Sequence, residues 1–457
     1  MGKNEIIFIK SHFFINDKRI FENLFQIPYS AGTIPEPSLL THALLRLKFG
    51  SNKLSKLEYL TDYYNKEGLF KYDAKIYIVD PKLAQTAINK LEKGAENYLE
   101  DSPLKDTFLG SSQKSPETRR AIAAIFRKTS IEEKSNMMIK DIDLMCEKMK
   151  VETKGHVNIT EWTLRLALDI VGHVLLQLDF RGLDGHQEKL LECMMTMLHR
   201  CYALREITSD SKEFQNANDE FDKITIQVLE DALNKDDDPH EGKRLVKSLH
   251  EACGFDEAKD NMKLFLMAGT ETTASTIPVV FSLLTQYPEV QDELRDEADS
   301  LIGRLRSDPT IPLPKIDAMM KEVLRLYPIA PFISRQNQHP VSLGPISLEK
   351  HADILIFTWG IHRSEYLWKR SKEFVPDRFR DPSSKDQSNF YIPFGAGSRV
   401  CIGQHLAWLE LRLAIAILLN KFEFHKGEET PDLNFVVDYH HAVVHPDVDM
   451  KFVLKER

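Results

Sequence analysis

Apolar residues recur along most of the chain at the spacing of three or four positions that places them on one face of a helix. Prolines and polar residues mark where these periodic stretches begin and end. The pattern predicts helices at residues 158–178, 187–204, 214–233, 256–286, 288–302, 315–326 and 404–422. The chain is therefore predicted to be mainly α-helical.

Two shorter regions alternate apolar and polar residues as β-strands do. Residues 70–79 predict a small strand pair, and Asp80 with Pro81 supplies the N-cap and first turn of a helix toward Leu91. Residues 332–357 form the second β-rich portion. Because no repeat or flexible linker divides the chain, we expect one large domain over residues 1–457, mainly α with a minor β-rich portion.

Composition narrows the class of protein. The 457 residues are 42% hydrophobic and 28% charged, the balance of a folded protein with a sizeable core. A formal net charge of −9 argues against a nucleic-acid partner. The apolar stretch 6–15 is interrupted by polar residues and is shorter than the roughly 20 residues of a membrane span. With five dispersed cysteines as reduced thiols, these features predict a soluble cytoplasmic protein without a membrane span.

A glycine-rich loop with one cysteine carries the strongest chemical signal. Cys401 precedes the apolar helix 404–422, so it lies at the positive end of a helix dipole, which favours a thiolate. The glycines of the loop let backbone N–H groups approach the sulfur, and Arg399 can bind an acidic group. Such a cysteine is suited to ligating a metal.

Other interpretations of this loop are weaker but have to be considered. A dinucleotide-binding loop would need glycine where Val400 stands, and a zinc site on Cys401 and His405 lacks a second pair of ligands. A buried structural cysteine is the commoner case for a cysteine taken in isolation. The spacing changes that judgement, because five residues fit one pattern within ten positions: Phe394, Gly397, Arg399, Cys401 and Gly403.

This pattern, Phe-x-x-Gly-x-Arg-x-Cys-x-Gly, resembles the haem-binding signature of the cytochrome P450 family. The resemblance extends over about residues 70–425 and implies the P450 fold, a single domain enclosing haem b. It implies that Cys401 is the axial ligand of the haem iron. It further implies that the loop residues Phe394, Gly395, Gly397, Arg399 and Gly403 hold the cofactor.

Two upstream motifs resemble the same family and follow in the expected order. Glu322 and Arg325 share one helix face, and Arg378 follows in a segment similar to that of the third member of a structural network. Asp377 stands where the family usually has glutamate. By itself, the Glu322–Arg325 pair is equally typical of a solvated surface.

The second motif spans residues 267–273 and resembles the oxygen-activation segment. The resemblance implies that Ala268 and Gly269 make room for haem and oxygen, that Thr272 donates a hydrogen bond, and that Glu271 relays protons. Threonines that hydrogen-bond preceding carbonyls within the helix are the structural alternative.

The remaining candidate residues follow from position within the resemblance. Arg335 and Arg119 are placed as partners of the haem propionates, Arg119 only by its distance from Phe126. Phe332 and Ile333 are placed in the substrate pocket.

The resemblance implies a monooxygenase that inserts one atom of O2 into a small hydrophobic substrate such as a lipid, fatty acid or terpenoid-like molecule. We expect electrons to come from a separate ferredoxin or flavoprotein reductase, because no flavin or iron–sulfur module is visible before Arg457. Two alternatives remain: a haem-thiolate peroxygenase or isomerase that needs no outside electrons, and a haem-based sensor.

Overall fold

The computed structural model describes eleven segments of the chain: residues 34–50, 52–92, 107–109, 115–152, 155–201, 212–234, 245–344, 346–380, 389–436, 443–446 and 448–457. Within them the fold is mainly helical with a smaller β portion, which confirms the predicted fold class. The predicted N-terminal apolar stretch 6–15 and the end of the helix predicted to reach residue 204 lie outside these segments.

Fourteen α-helices, numbered in chain order, lie in the described segments. They are α1 Leu39–Phe49, α2 Lys53–Tyr63, α3 Pro81–Lys90, α4 Ser115–Ile122, α5 Lys128–Glu132, α6 Ser135–Glu152, α7 Ile159–Val171, α8 Glu188–Cys201, α9 Lys212–Asn234, α10 Leu245–Gln286, α11 Pro288–Ser307, α12 Pro314–Leu326, α13 Thr358–His362 and α14 Gln404–Lys421. The predicted helices are present within this set, with ends that shift by a few residues or more.

Eleven short strands complete the described elements: β1 Leu69–Tyr72, β2 Lys75–Ile78, β3 His156–Asn158, β4 Phe332–Gln336, β5 Val341–Leu343, β6 Ile346–Leu348, β7 Asp353–Phe357, β8 Phe422–His425, β9 Phe435–Val436, β10 His445–Pro446 and β11 Lys451–Glu456. The largest sheet has the order β1-β2-β7-β4. Strands β2 and β7 are parallel in it, and the other two pairings are antiparallel. Both predicted β-rich regions therefore meet in one sheet.

Helices α10 and α14 form the centre of the molecule. Nearly every side chain of α14 from Leu406 to Leu419 is buried, as expected of a helix that is apolar on all faces. Helix α7 packs along α10, and α14 contacts α6, α10 and α11. These contacts enclose the main hydrophobic core.

Helix α10 is longer than predicted and consists of two parts. It begins at Leu245, and Gly254 interrupts it with a φ of 77°, a left-handed conformation that glycine tolerates. Across residues 267–273 the backbone keeps helical dihedrals. The bend therefore lies well before the threonine-rich segment.

By length and composition, α10 is the one helix of the described segments that could cross a membrane. Some 78% of its most apolar stretch is buried within the fold, which is also typical of the core helix of a globular protein. The helix therefore gives only weak evidence about membranes.

Candidate active site

One cavity lies between the cysteine loop, helix α10 and strand β4. Its volume is about 340 Å³, within the roughly 300–1,000 Å³ of an ordinary small-molecule site. Twelve of the predicted site residues line it: Arg119, Ala268, Gly269, Thr272, Phe332, Ile333, Arg335, Phe394, Gly395, Arg399, Cys401 and Gly403. Two do not, since Gly397 borders a neighbouring groove and Glu271 is absent from the lining.

The cysteine loop is a tight turn that directs Cys401 into the cavity. The Cys401 N–H donates to the Phe394 carbonyl at 2.8 Å, which closes the loop. Gly395 and Gly397 adopt φ values of 75° and 73°, and a Cβ at Gly397 would also lie 3.1 Å from Ile88. Gly397 therefore serves the loop conformation and its packing, without lining the cavity.

The electrostatics of Cys401 differ from the sequence-based expectation. Burial raises the pKa of its thiol, and the Gly403 N–H and Arg119 oppose that shift without reversing it. Gly403, at the N-cap of α14, and Arg119 are the groups that favour negative charge on the sulfur. A metal cation bound to the sulfur would supply the missing charge, because coordination deprotonates a thiol.

Three arginines line the same cavity, and none of them forms a salt bridge within the described residues, although Glu92 lies close enough to oppose the lowering of the pKa of Arg399 by burial. Arg119 donates to the Val400 carbonyl at 2.5 Å, and Arg335 donates to the Ser334 carbonyl at 2.8 Å. Burial lowers the pKa of Arg335 to about 10, with a further contribution from the charge of Arg399. Buried cations of this kind need an anionic ligand. A flat apolar group with carboxylates, such as haem b, fits this arrangement of sulfur, arginines and apolar walls.

The threonines of α10 hydrogen-bond within their own helix. The hydroxyl of Thr272 donates to the Ala268 carbonyl at 3.0 Å, and that of Thr273 donates to the Gly269 carbonyl at 3.1 Å. The structural alternative considered for these threonines is therefore present in the fold. Since a hydroxyl has one proton and two lone pairs, Thr272 faces the cavity as a hydrogen-bond acceptor in this geometry, in contrast to the expected donor.

Gly269 serves a different purpose from the one expected. A Cβ at this position would lie 2.7 Å from Cγ2 of Val171 on α7. The missing side chain therefore permits the close approach of α7 and α10. The backbone of Gly269 also lines the cavity.

Glu271, the neighbour of Thr272 in sequence, is buried but does not line the cavity. Burial raises the pKa of its carboxyl to about 8. The group is therefore mostly protonated at neutral pH and can act as an acid.

Glu322, Arg325 and Arg378 form a single network. The Arg325 guanidinium donates to both Glu322 oxygens at 2.8 Å, and Arg378 Nε donates to Oε2 at 3.2 Å. Glu322 and Arg325 are fully buried, which excludes the interpretation of a solvated surface pair. Arg325 also donates to the carbonyls of His362 and Ser371, each at 2.6 Å, so the network holds the chain that leads into the cysteine loop.

His362 is a structural residue that the sequence did not single out. It is fully buried, and its Nε2 accepts a hydrogen bond from the Ile392 N–H at 3.0 Å. The Ile392 carbonyl in turn accepts from the Gly395 N–H at 3.0 Å. His362 therefore connects Arg325 to the cysteine loop, and burial together with nearby arginines lowers its pKa to about 3.

The cavity also contains side chains that no sequence motif marked. Phe265 stacks against Phe108 and Phe126, with ring centroids 5.4 Å and 5.5 Å apart. Thr276 and Glu410 add polar groups to the lining. The helical period brings Thr276 to the face of Thr272 and Thr273, whereas the others depend on tertiary contacts.

Comparison with known proteins gives the family. A family model described as cytochrome P450 matches residues 69–447. The chain is 27% identical over 375 residues to Protein LUTEIN DEFICIENT 5, chloroplastic, of Arabidopsis thaliana, which covers 74% of this chain and 62% of that protein. It is 30% identical to cytochrome P450 3A9 of Rattus norvegicus over 49% of this chain and 44% of that protein. It is 32% identical to steroid 17-alpha-hydroxylase/17,20 lyase of Sus scrofa over 58% of this chain and 52% of that protein.

The chain belongs to the cytochrome P450 family, which confirms the resemblance noted in the sequence. Haem b, the cofactor of this haem-thiolate family, is accordingly its cofactor. The matched regions span between about two fifths and three fifths of the relatives named above. The roles of individual site residues stay predictions.

Replacing the cavity cysteine tests the ligand assignment. Cys401→Ser should abolish the thiolate-type absorption of the reduced, carbon-monoxide-bound protein, because serine supplies no soft anionic donor near neutral pH. Cys253→Ser, which alters a half-buried thiol outside the cavity, should keep that spectrum. An unchanged spectrum in Cys401→Ser would exclude this residue as the ligand.

Removing the buried carboxylate tests the network. Glu322→Ala leaves Arg325 buried without its counter-ion, so we expect a loss of about 3–5 kcal/mol in the free energy of unfolding and loss of haem during purification. The matched control is Glu373→Ala, which breaks an exposed pair of the same spacing with Arg370 and should cost less than about 1 kcal/mol. Equal effects in the two variants would contradict the structural role.

His362 should contribute a defined pH dependence of stability. Its pKa is lower in the folded than in the unfolded chain, so its contribution is present above pH 6.5 and is lost as pH falls toward 3. His362→Gln cannot take up that proton, and its stability should fall less steeply, by up to about 1.4 kcal/mol per pH unit. Urea unfolding of both proteins at several pH values checks this, and parallel curves would refute it.

Proposed function

We propose that this protein is a monooxygenase that inserts one atom of O2 into a small hydrophobic substrate. The observation that carries the proposal is the cavity shared by Cys401, Thr272 and three arginines that form no salt bridge in the part of the chain that the structure describes. The family assignment supports it, since the relatives include proteins named as a steroid hydroxylase. The single-domain organisation over residues 1–457 belongs to the same proposal.

When bound, haem supplies the iron centre at which dioxygen is reduced. The residues of the chain would hold the haem and line the space around it. Cys401 would hold the haem iron through its sulfur, and Arg119, Arg335 and Arg399 would neutralise the propionates. The aromatic wall around Phe265 excludes water, which strengthens electrostatic interactions in the cavity.

Proton supply is assigned to the segment around Thr272. Its hydroxyl oxygen can accept a hydrogen bond from a water in the cavity while its own O–H donates to the Ala268 carbonyl. A rotation of the hydroxyl then presents that proton to the cavity. Glu271, protonated near neutral pH by burial, is the residue that we propose replenishes it.

The lining indicates the chemical class of the substrate. Apolar side chains dominate the wall, among them Phe108, Ile329, Phe332 and Ile333. Such a surface favours a lipid, fatty acid or terpenoid-like molecule, in which apolar area determines affinity and few polar groups fix orientation. Phe332 and Ile333, on strand β4, are our candidates for specificity.

The electron donor is proposed to be a separate ferredoxin or flavoprotein reductase, and the location cytoplasmic. Product formation with a reductase system and reduced nicotinamide, compared with peroxide alone, separates the candidate functions. A monooxygenase needs the reductase system, whereas a peroxygenase works with peroxide alone. An isomerase needs neither addition, and a sensor forms no product.

Thr272→Ala tests the assignment of proton supply. Haem content and substrate binding should change little, because the hydrogen bond of the hydroxyl stays within helix α10. Product formed per reduced nicotinamide consumed should fall roughly tenfold or more, with hydrogen peroxide released instead, since acid assistance is worth about 10²–10⁴-fold. Thr285→Ala, on the same helix but outside the cavity, is the matched control. Unchanged coupling in Thr272→Ala would show that another residue supplies the proton.

A further inference from the structure

Asn261 is a fully buried polar residue that the proposed function does not use. It lies on helix α10, between the bend at Gly254 and the threonine-rich segment. Its amide oxygen accepts a hydrogen bond from the Phe108 N–H at 2.9 Å, and its amide nitrogen donates to the Glu257 carbonyl at 2.9 Å. Because a backbone N–H only donates and a carbonyl only accepts, a single orientation of the amide satisfies both partners. Asn261 therefore ties the backbone of Phe108 to α10.

Phe108 is the residue whose position this hydrogen bond determines. Its side chain is buried and lines the cavity. Its ring stacks on that of Phe265, with centroids 5.4 Å apart and ring planes 20° apart. Phe265 follows Asn261 by one helical turn, so the two side chains lie on the same face of α10. One helix thus holds Phe108 twice, by its backbone and by its ring.

The ring of Phe108 belongs to a larger aromatic wall. Phe265 also stacks on Phe126, with centroids 5.5 Å apart and ring planes 27° apart, and all three rings line the cavity. Phe265 is carried by a helix, whereas residues 107–109 form a turn without helix or strand. The place of Phe108 in the wall consequently depends on the hydrogen bond to Asn261.

A wall of this kind distinguishes ligands by shape. Aromatic rings pack against other flat rings in preferred geometries, which contribute affinity beyond the apolar area that is buried. A flexible alkyl chain gains only from that area, and it adapts to a wall whose rings have moved. Holding the rings in one arrangement therefore favours a ligand with a flat ring over a chain of similar size.

We propose that Asn261 is a positioning residue that determines substrate specificity. By holding Phe108 in the aromatic wall, it adapts the cavity to hydrophobic substrates that carry a flat ring. This inference narrows the substrate class of the proposed function and rests on that function for its catalytic consequence. The hydrogen bond and the shape of the wall do not depend on turnover.

Three haem-binding probes test the wall without a substrate: imidazole, 1-phenylimidazole and 1-hexylimidazole. Their affinities are measured on the haem-loaded protein from the shift of the Soret band. Imidazole is too small to reach the wall, and the other two carry a ring or a chain of the same carbon count. Asn261→Leu removes both hydrogen bonds and should weaken 1-phenylimidazole roughly two- to tenfold, the worth of one hydrogen bond. It should weaken 1-hexylimidazole less and leave imidazole unchanged.

Two further variants separate positioning from a general loss of stability. Asn261→Asp keeps an oxygen that accepts from Phe108 and should restore most of the affinity for 1-phenylimidazole. Gln291→Leu is the matched control, because the buried Gln291 amide also accepts from a backbone N–H and donates to a carbonyl, both of Phe424, at 2.9 Å and 3.0 Å outside the cavity. It should lower resistance to urea and leave all three affinities unchanged.

A double variant shows whether Asn261 acts through Phe108. Phe108→Ala alone should weaken 1-phenylimidazole more than 1-hexylimidazole, and adding Asn261→Leu should weaken it no further. Additive losses would overturn the proposal, as would equal losses for the ring and chain probes in Asn261→Leu. Amide hydrogen exchange checks the hydrogen bond itself, and equally slow exchange of the Phe108 N–H in wild type and Asn261→Leu would refute it. Absence of product in the wild type with a reductase system would instead refute the proposed function, leaving the binding measurements to decide on Asn261.

Discussion

The buried ion pair between Glu322 and Arg325 is the interaction on which the rest of the site depends. Two fully desolvated charges are stable only if every hydrogen bond is made, and here the arginine also holds the carbonyls of His362 and Ser371. This requirement fixes α12 against the segment leading to the cysteine loop. The position of the cysteine therefore depends on polar contacts with distant residues such as His362 and Ser371, as well as on the hydrogen bond within the loop.

Helix packing supplies the second constraint. Gly269 allows α7 and α10 to approach so closely that a single added carbon would collide with Val171. The helix that carries the threonines is thereby pressed against its neighbour on one side and open to the cavity on the other. A rigid wall of this kind keeps polar side chains at fixed positions in an otherwise apolar space.

Most elements, and twelve of the residues that line the cavity, could be predicted from sequence, because helical periodicity and the spacing around Cys401 are local signals. Predictions were less accurate where a residue's role depends on contacts between distant segments. Gly397 fits the motif, but it packs against Ile88 instead of lining the cavity. Gly269 fits its motif, but its missing side chain allows α7 to approach α10. His362 and Asn261 had no motif, since their importance comes from what surrounds them in the fold. The preference of Cys401 for the thiolate stays a prediction, because the apolar cavity wall that raises the pKa of its thiol comes from segments distant in sequence.

Because of the cavity arginines, the stability of the folded protein depends on the concentration of free haem. The positive charge of Arg399 lowers the pKa of both Arg119 and Arg335, so the three cations repel one another in the folded chain. A ligand that brings two carboxylates converts this repulsion into attraction and binds the folded state alone. Each tenfold excess of free haem over its dissociation constant then adds about 1.4 kcal/mol to the free energy of unfolding. The amount of folded protein in a cell should consequently follow the haem supply as well as the rate of synthesis.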